Sequence, residues 1–124
     1  MASASLQSVA FAAPGGESCP PSKGRPIDLV HLARQTLGDR ALEKEVLSLF
    51  IQQAVSVKDG IARATSRERA LMAHGLRGSA SGVGAFNVAE LAKAIERDPD
   101  DKSLMPRLAA SIDAVRDFVA AINR

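Results

Sequence analysis

The chain has no tryptophan, no tyrosine and only four phenylalanines, so a core built from its 124 residues must be aliphatic. Hydrophobic residues make up 46% of it, enough for one domain around a single core. Leu, Ile, Val and Ala in place of aromatics favour packed helices over a sheet. A single cysteine, Cys19, rules out an internal disulfide and fits a reducing compartment, so a cytoplasmic location is expected. No apolar run approaches the roughly 18 residues of a membrane span. The mildly apolar stretch from Leu6 to Ala13 lacks a basic flank and is broken by Gln7 and Ser8, so neither a leader nor a membrane partner is expected. Sixteen basic residues face fourteen acidic ones, with no basic run and no aromatic-interleaved patch, which argues against nucleic acid as a partner. A Walker A loop, a Gly-rich nucleotide loop and an acidic cluster for Mg²⁺ are all missing, so the chain is not expected to split ATP or to carry a cofactor of its own. Asp98, Asp100 and Asp101 lack the oxygen ring and glycine of a calcium loop and read as a capped turn, which leaves no metal site.

What is present falls into two parts. Residues 1–25, with Pro14-Gly15-Gly16 and Pro20-Pro21, cannot bury enough surface to order themselves and are expected to form a flexible, disordered tail. Residues 26–124 carry helical periodicity. Asp28 is placed to cap a short first helix with Ile27 and Leu32 as its staple, and Leu37-Gly38 stops it. Asp39 can cap a long second helix whose apolar positions are Leu42, Val46, Leu49, Phe50, Val57 and Ile61. Ser66 is the candidate cap of a third helix that Gly82 and Gly84 terminate. Asn87 with Glu90 resembles a capping box for a fourth, stapled by Phe86 on Leu91 and burying Val88, Leu91, Ala92 and Ile95. A fifth should start at Ser103 with Pro106 in its first turn and a stripe from Leu104 to Ile122. The expected architecture is all-α: an antiparallel four-helix bundle with a short additional N-terminal helix as a lid. A bundle closed in this way gives no reason to expect more than a monomer.

The third helix holds the segment Ala73-His74-Gly75-Leu76-Arg77-Gly78-Ser79-Ala80-Ser81. At about 100° per residue, Met72, Leu76 and Val83 fall opposite His74, so the apolar stripe points one way and the imidazole the other. Ala70, Gly78 and Ser81 surround the ring, Arg67 and Leu71 flank it, and Arg77 stands on the next turn. Gly75 and Gly78 each weaken a helix interior by about 1 kcal/mol relative to alanine, which implies that something approaches this backbone closely. Imidazole is a nucleophile at neutral pH, and a guanidinium one turn away suits phosphate oxygens; Arg77 alone would read as a solvated charge or the partner of a nearby carboxylate, but its spacing from His74 favours the phosphate-facing role. His31 has no such neighbours and reads as a structural residue. Ser79 and Ser81 have no acid–base partner and read as small packing or surface positions.

The run Ala73, His74, Leu76, Arg77, Gly78, Ser79, Ala80, then Val83, Gly84, Ala85, then Leu91, Ile95 and Glu96 resembles the histidine-containing phosphotransfer (HPt) domains. Ile27-Asp28-Leu29 and Leu49-Phe50 are also similar to that family, and the usual lysine after the histidine is Arg77 here. The resemblance implies a phosphorelay intermediate. His74 would accept a phosphoryl group from the aspartate of a receiver domain, commonly on a hybrid sensor kinase, and pass it to the receiver of a response regulator. Arg77 and Gly78 would form the phosphate neighbourhood, and Arg67, Ala70, Leu71, Gly75 and Ser81 the docking shelf. The partner would supply Mg²⁺, and the chain would have no kinase activity of its own. Two other readings stay open: a helical adaptor that binds receivers without carrying phosphate, and an input module of a chemotaxis-type kinase.

Overall fold

Short polar side chains that take up free backbone N–H groups set where the first helices begin. Asp28 accepts from the backbone N–H of His31 at 3.1 Å and opens α1, Leu29–Gln35. Asp39 accepts from Leu42 at 3.1 Å and opens α2, Arg40–Gly60, which passes directly into a 3₁₀ turn, Ile61–Arg63. The computed structural model describes residues 25–123, and these are helical with no strand among them. The tail expected over 1–25 therefore lies, apart from Arg25, outside the described residues. The remaining helices are α3, Ser66–Val83, α4, Phe86–Arg97, and α5, Leu104–Ile122.

The boundaries of these three correct the sequence reading by a residue or so. Thr65, not Ser66, caps α3: its hydroxyl accepts from Glu68 N–H at 3.2 Å while the Glu68 carboxylate accepts from Thr65 N–H at 2.9 Å. Ser66 is the first helical residue, and its hydroxyl bonds Asp100. Asn87 does not cap α4, which begins one residue earlier behind Ala85 without a side-chain cap. Gly84 reverses the chain in a single left-handed residue, φ +87°, and Ala85 N–H closes back on the Ala80 carbonyl at 2.8 Å, so no room is left for a polar cap. α5 begins at Leu104, one residue after the expected Ser103, which is the N-cap without a side-chain cap bond; Asp101 accepts from Ser103 N–H at 3.0 Å and from its hydroxyl at 2.6 Å.

α2 packs on α3 and α5, and α4 packs on the same two. Between them lies a core of Leu47, Phe50, Ala54, Val57, Leu76, Ala80, Val88, Ile95, Leu108, Ile112 and Val115. Along α2 the buried positions, 47, 50, 54 and 57, advance by three and four, and Ile61 in the 3₁₀ turn continues the step. Leu42 and Leu49, expected inside, are 41% and 60% exposed, because a helix with neighbours on one side buries one narrow stripe. Ile122 is exposed at the end of α5, and Leu91 is half-buried where Ala89 is buried. Lys58 of α2 donates to Asp113 of α5 at 2.8 Å. That bond holds the Asp113 carboxyl below the usual carboxylate range, so the pair contributes at neutral pH and is lost as pH falls through the lowered value.

Two features lock α3 in place. Arg69 is buried without a carboxylate partner; Nε donates to the Ile61 carbonyl at 2.9 Å, Nη2 to Ala62 at 2.7 Å and Nη1 to Pro99 at 3.2 Å. The guanidinium thus joins the C-terminal end of α2, where free carbonyls concentrate negative potential, to the loop before α5. At Gly84, a Cβ would meet the Asp28 carbonyl oxygen at 2.8 Å, and the Gly84 carbonyl accepts from Asp28 N–H at 2.9 Å. The start of α1 is thereby fastened to the α3–α4 turn, with Ile27 fully buried beneath it.

Both locks predict stability losses measurable by denaturant unfolding. Gly84→Ala should cost about 2 kcal/mol or more, since left-handed strain of about 1–2 kcal/mol adds to a backbone clash. Arg69→Met should cost about 3 kcal/mol by removing charged donors from three carbonyls, of which Ile61 keeps its bond from Ala64 N–H. Arg69→Lys should recover only part of that, because an ammonium cannot reproduce the fork.

Candidate functional site

The face of α3 turned away from the core carries the side chains singled out in the sequence. Ala73, Leu76, Ala80 and Val83 are buried, which leaves His74 on the opposite side with its side chain 65% exposed. Gly75, Gly78, Ser81, Arg67 and Leu71 are exposed around it, Leu71 at 64%, and Ala70 is half-buried. A Cβ at Gly78 would meet nothing within 4 Å, and one at Gly75 only the end of Gln53 at 3.9 Å. Neither glycine is required by packing, so the backbone beside His74 is bare for a reason other than stability.

Across the seam with α4 the imidazole finds a partner. His74 Nδ1 lies 2.8 Å from one oxygen of Glu96, and the other oxygen lies 2.8 Å from Nε of Arg77. A carboxylate can only accept, so the hydrogen of the neutral ring sits on Nδ1 and the lone pair is left on Nε2. Arg77 Nη2 is 3.5 Å from the same Nδ1; with that nitrogen protonated the approach is a packing contact and not a hydrogen bond. Of the two roles open to Arg77, the partner of a carboxylate is the one present here.

His74, Arg77, Gly78 and Ser81 line a groove of about 320 Å³ together with Ala89, Glu90 and Lys93 of α4. Roomier grooves, about 660 Å³ between α4 and α5 and about 670 Å³ beside α2 and Arg116, have no histidine in their walls, and chemistry decides over size. In the sequence Glu96 stands out only as a match to a motif. Its helical phase could have found it: Ala92 and Ile95 point inward, so 89, 93 and 96 border the neighbouring helix. His31 packs its ring edge-on against Phe86, centroids 5.1 Å apart, as a structural residue. Among the described residues no three His, Cys, Asp or Glu side chains converge to hold a metal.

The proton placement is testable by ¹⁵N NMR of the imidazole. The parent should show the Nδ1–H tautomer for His74, and Glu96→Ala should shift the ring toward Nε2–H, whereas Glu96→Gln, whose amide oxygen still accepts, should keep most of the original form.

A family model described as Hpt domain matches residues 45–118, more than half of the chain, and the match includes α3 and α4 entire. No significant match was found among curated proteins or among solved structures.

Proposed function

The chain belongs to the Hpt domain family, whose members act in histidine phosphotransfer of two-component signalling, and from that membership we propose that His74 is the residue that carries the phosphoryl group. In this reading residues 26–124 are the working unit, the four long helices form the antiparallel bundle, and α1 is its lid. The protein is cytoplasmic and acts as a monomer; among the described residues no helix is long and apolar enough to cross a membrane.

The observation that carries the reading is the single bond between His74 Nδ1 and Glu96. With Nδ1 engaged, the Nε2 lone pair attacks the phosphorus of an aspartyl phosphate on a receiver domain. The P–Nε2 bond forms as the P–O bond breaks, and the electron pair of that bond returns to the partner's aspartate. No proton has to leave Nε2, because none was there. The ring gains positive charge during attack, and the Glu96 carboxylate stands ready beside Nδ1 to stabilise it. Arg77 works through Glu96: its Nε bond keeps the carboxylate turned to the ring, which makes it a positioning residue. The bare backbone at Gly75 and Gly78, with Arg67, Ala70, Leu71 and Ser81 around it, is the shelf on which the receiver closes and excludes water. Mg²⁺ and the acidic groups that hold it belong to the receiver. Run backwards, the same step delivers the group to a second receiver.

Incubation with a phosphorylated receiver tests this. Label should move to the chain, resist base, be lost in acid and be absent from His74→Gln. Label on His74→Gln equal to that on the parent would overturn the carrier role in favour of a docking adaptor, and loading only by an ATP-binding kinase domain would favour the input module. Glu96→Ala and Arg77→Ala should each slow transfer about 10- to 100-fold, the range typical for partners that orient a reactive imidazole.

A further inference from the structure

We propose that Lys93 is the cation that takes up the phosphoryl oxygens of phosphorylated His74, an anion subsite built across the seam between α3 and α4; the proposal rests on the reading of His74 as the carrier. The pairing of the two helices puts it there. His74 bonds Glu96, and three residues earlier on the same face of α4 Lys93 shares one groove with His74, Arg77, Gly78 and Ser81. Gly78, which has nothing within 4 Å of where its Cβ would be, leaves an open floor for a four-carbon stem to cross.

Charge separates Lys93 from the other candidate. Arg77 is committed to Glu96 through Nε at 2.8 Å and lies against Nδ1, the nitrogen that does not receive the phosphoryl group. Lys93 is exposed and takes part in none of the ion pairs among the described residues; Glu90, one turn away in the same groove, is not within pairing distance. Before phosphorylation the groove is lined by Arg77, Lys93 and Glu90, and Arg77 is already paired with Glu96 at its edge. A phosphoryl group adds close to two negative charges at neutral pH beside carboxylates already in place. Lys93 is the one groove cation free to meet them, and an ammonium on a mobile stem can follow the group as it arrives and leaves.

The test loads the full chain with phosphoramidate, whose P–N bond breaks to release ammonia as the P–Nε2 bond forms, and follows the second ionisation of the phosphoryl group by ³¹P NMR. Lys93→Met, which keeps the stem and removes the charge, should raise that ionisation by roughly half a pH unit, the expectation for losing an opposite charge at an exposed site. It should slow loading several-fold, with the thermal midpoint unchanged. Lys93→Arg should restore both values. An unchanged ionisation and loading rate in Lys93→Met would overturn the proposal, and so would a Lys93→Arg variant that behaves like Lys93→Met, since the effect would then not be one of charge. Failure of the parent to take label, or equal labelling of His74→Gln, would instead remove the carrier reading on which the proposal stands.

Discussion

The phosphoryl-accepting role proposed for His74 needs an imidazole held at one nitrogen and left free at the other, and much of this structure suits that constraint. The hold is one carboxylate, Glu96, which reaches from α4 to Nδ1 of His74 and is itself gripped by Arg77. Such a bond depends on the register between two helices, because a slip of one residue turns a side chain by about 100°. The turn at Gly84 joins α3 to α4 through Gly84 and Ala85 alone, and Asp28 N–H donates to the Gly84 carbonyl. At the other end of α3, Arg69 ties the helix to the end of α2 and to the loop before α5. His74 lies between these two fixed points.

The opposite face of the same helix explains why stability and function do not compete for the same residues. Ala73, Leu76, Ala80 and Val83 supply the core, while Gly75, Gly78 and Gly82 face outward. Each outward glycine costs helix stability of about 1 kcal/mol relative to alanine. The buried stripe and the capping box at Thr65 and Glu68 offset that cost.

Much of this could be read from residue order alone, for reasons that are local. Asp28 and Asp39 cap the helices that follow them because a cap needs only its own next turn. The outward phase of His74 needs only the helical period, and the two glycines beside it, Gly75 and Gly78, stand out because an exposed helix face gains nothing from them. What could not be read depends on partners distant in sequence. Nothing in Arg67-Glu68-Arg69 distinguishes the arginine that is buried from the one that is exposed, since the difference lies in carbonyls of α2 and of Pro99. Leu42 and Leu49 share a helical pattern with Leu47, and only the placement of α3 and α5 decides which of them is covered. Asn87 carried a cap signal overridden by the Ala85 to Ala80 closure behind Gly84. The role of Glu96 needed the seam itself.

The Arg69 clasp has a consequence for how the molecule behaves in a changing cell. Its donor keeps its charge at every physiological acidity, and its three acceptors are peptide carbonyls, which have no proton to gain. This tie between α2, α3 and the loop before α5 is therefore made by groups that ignore pH, unlike the Lys58–Asp113 pair between α2 and α5. Acidification that releases that pair would leave the clasp closed.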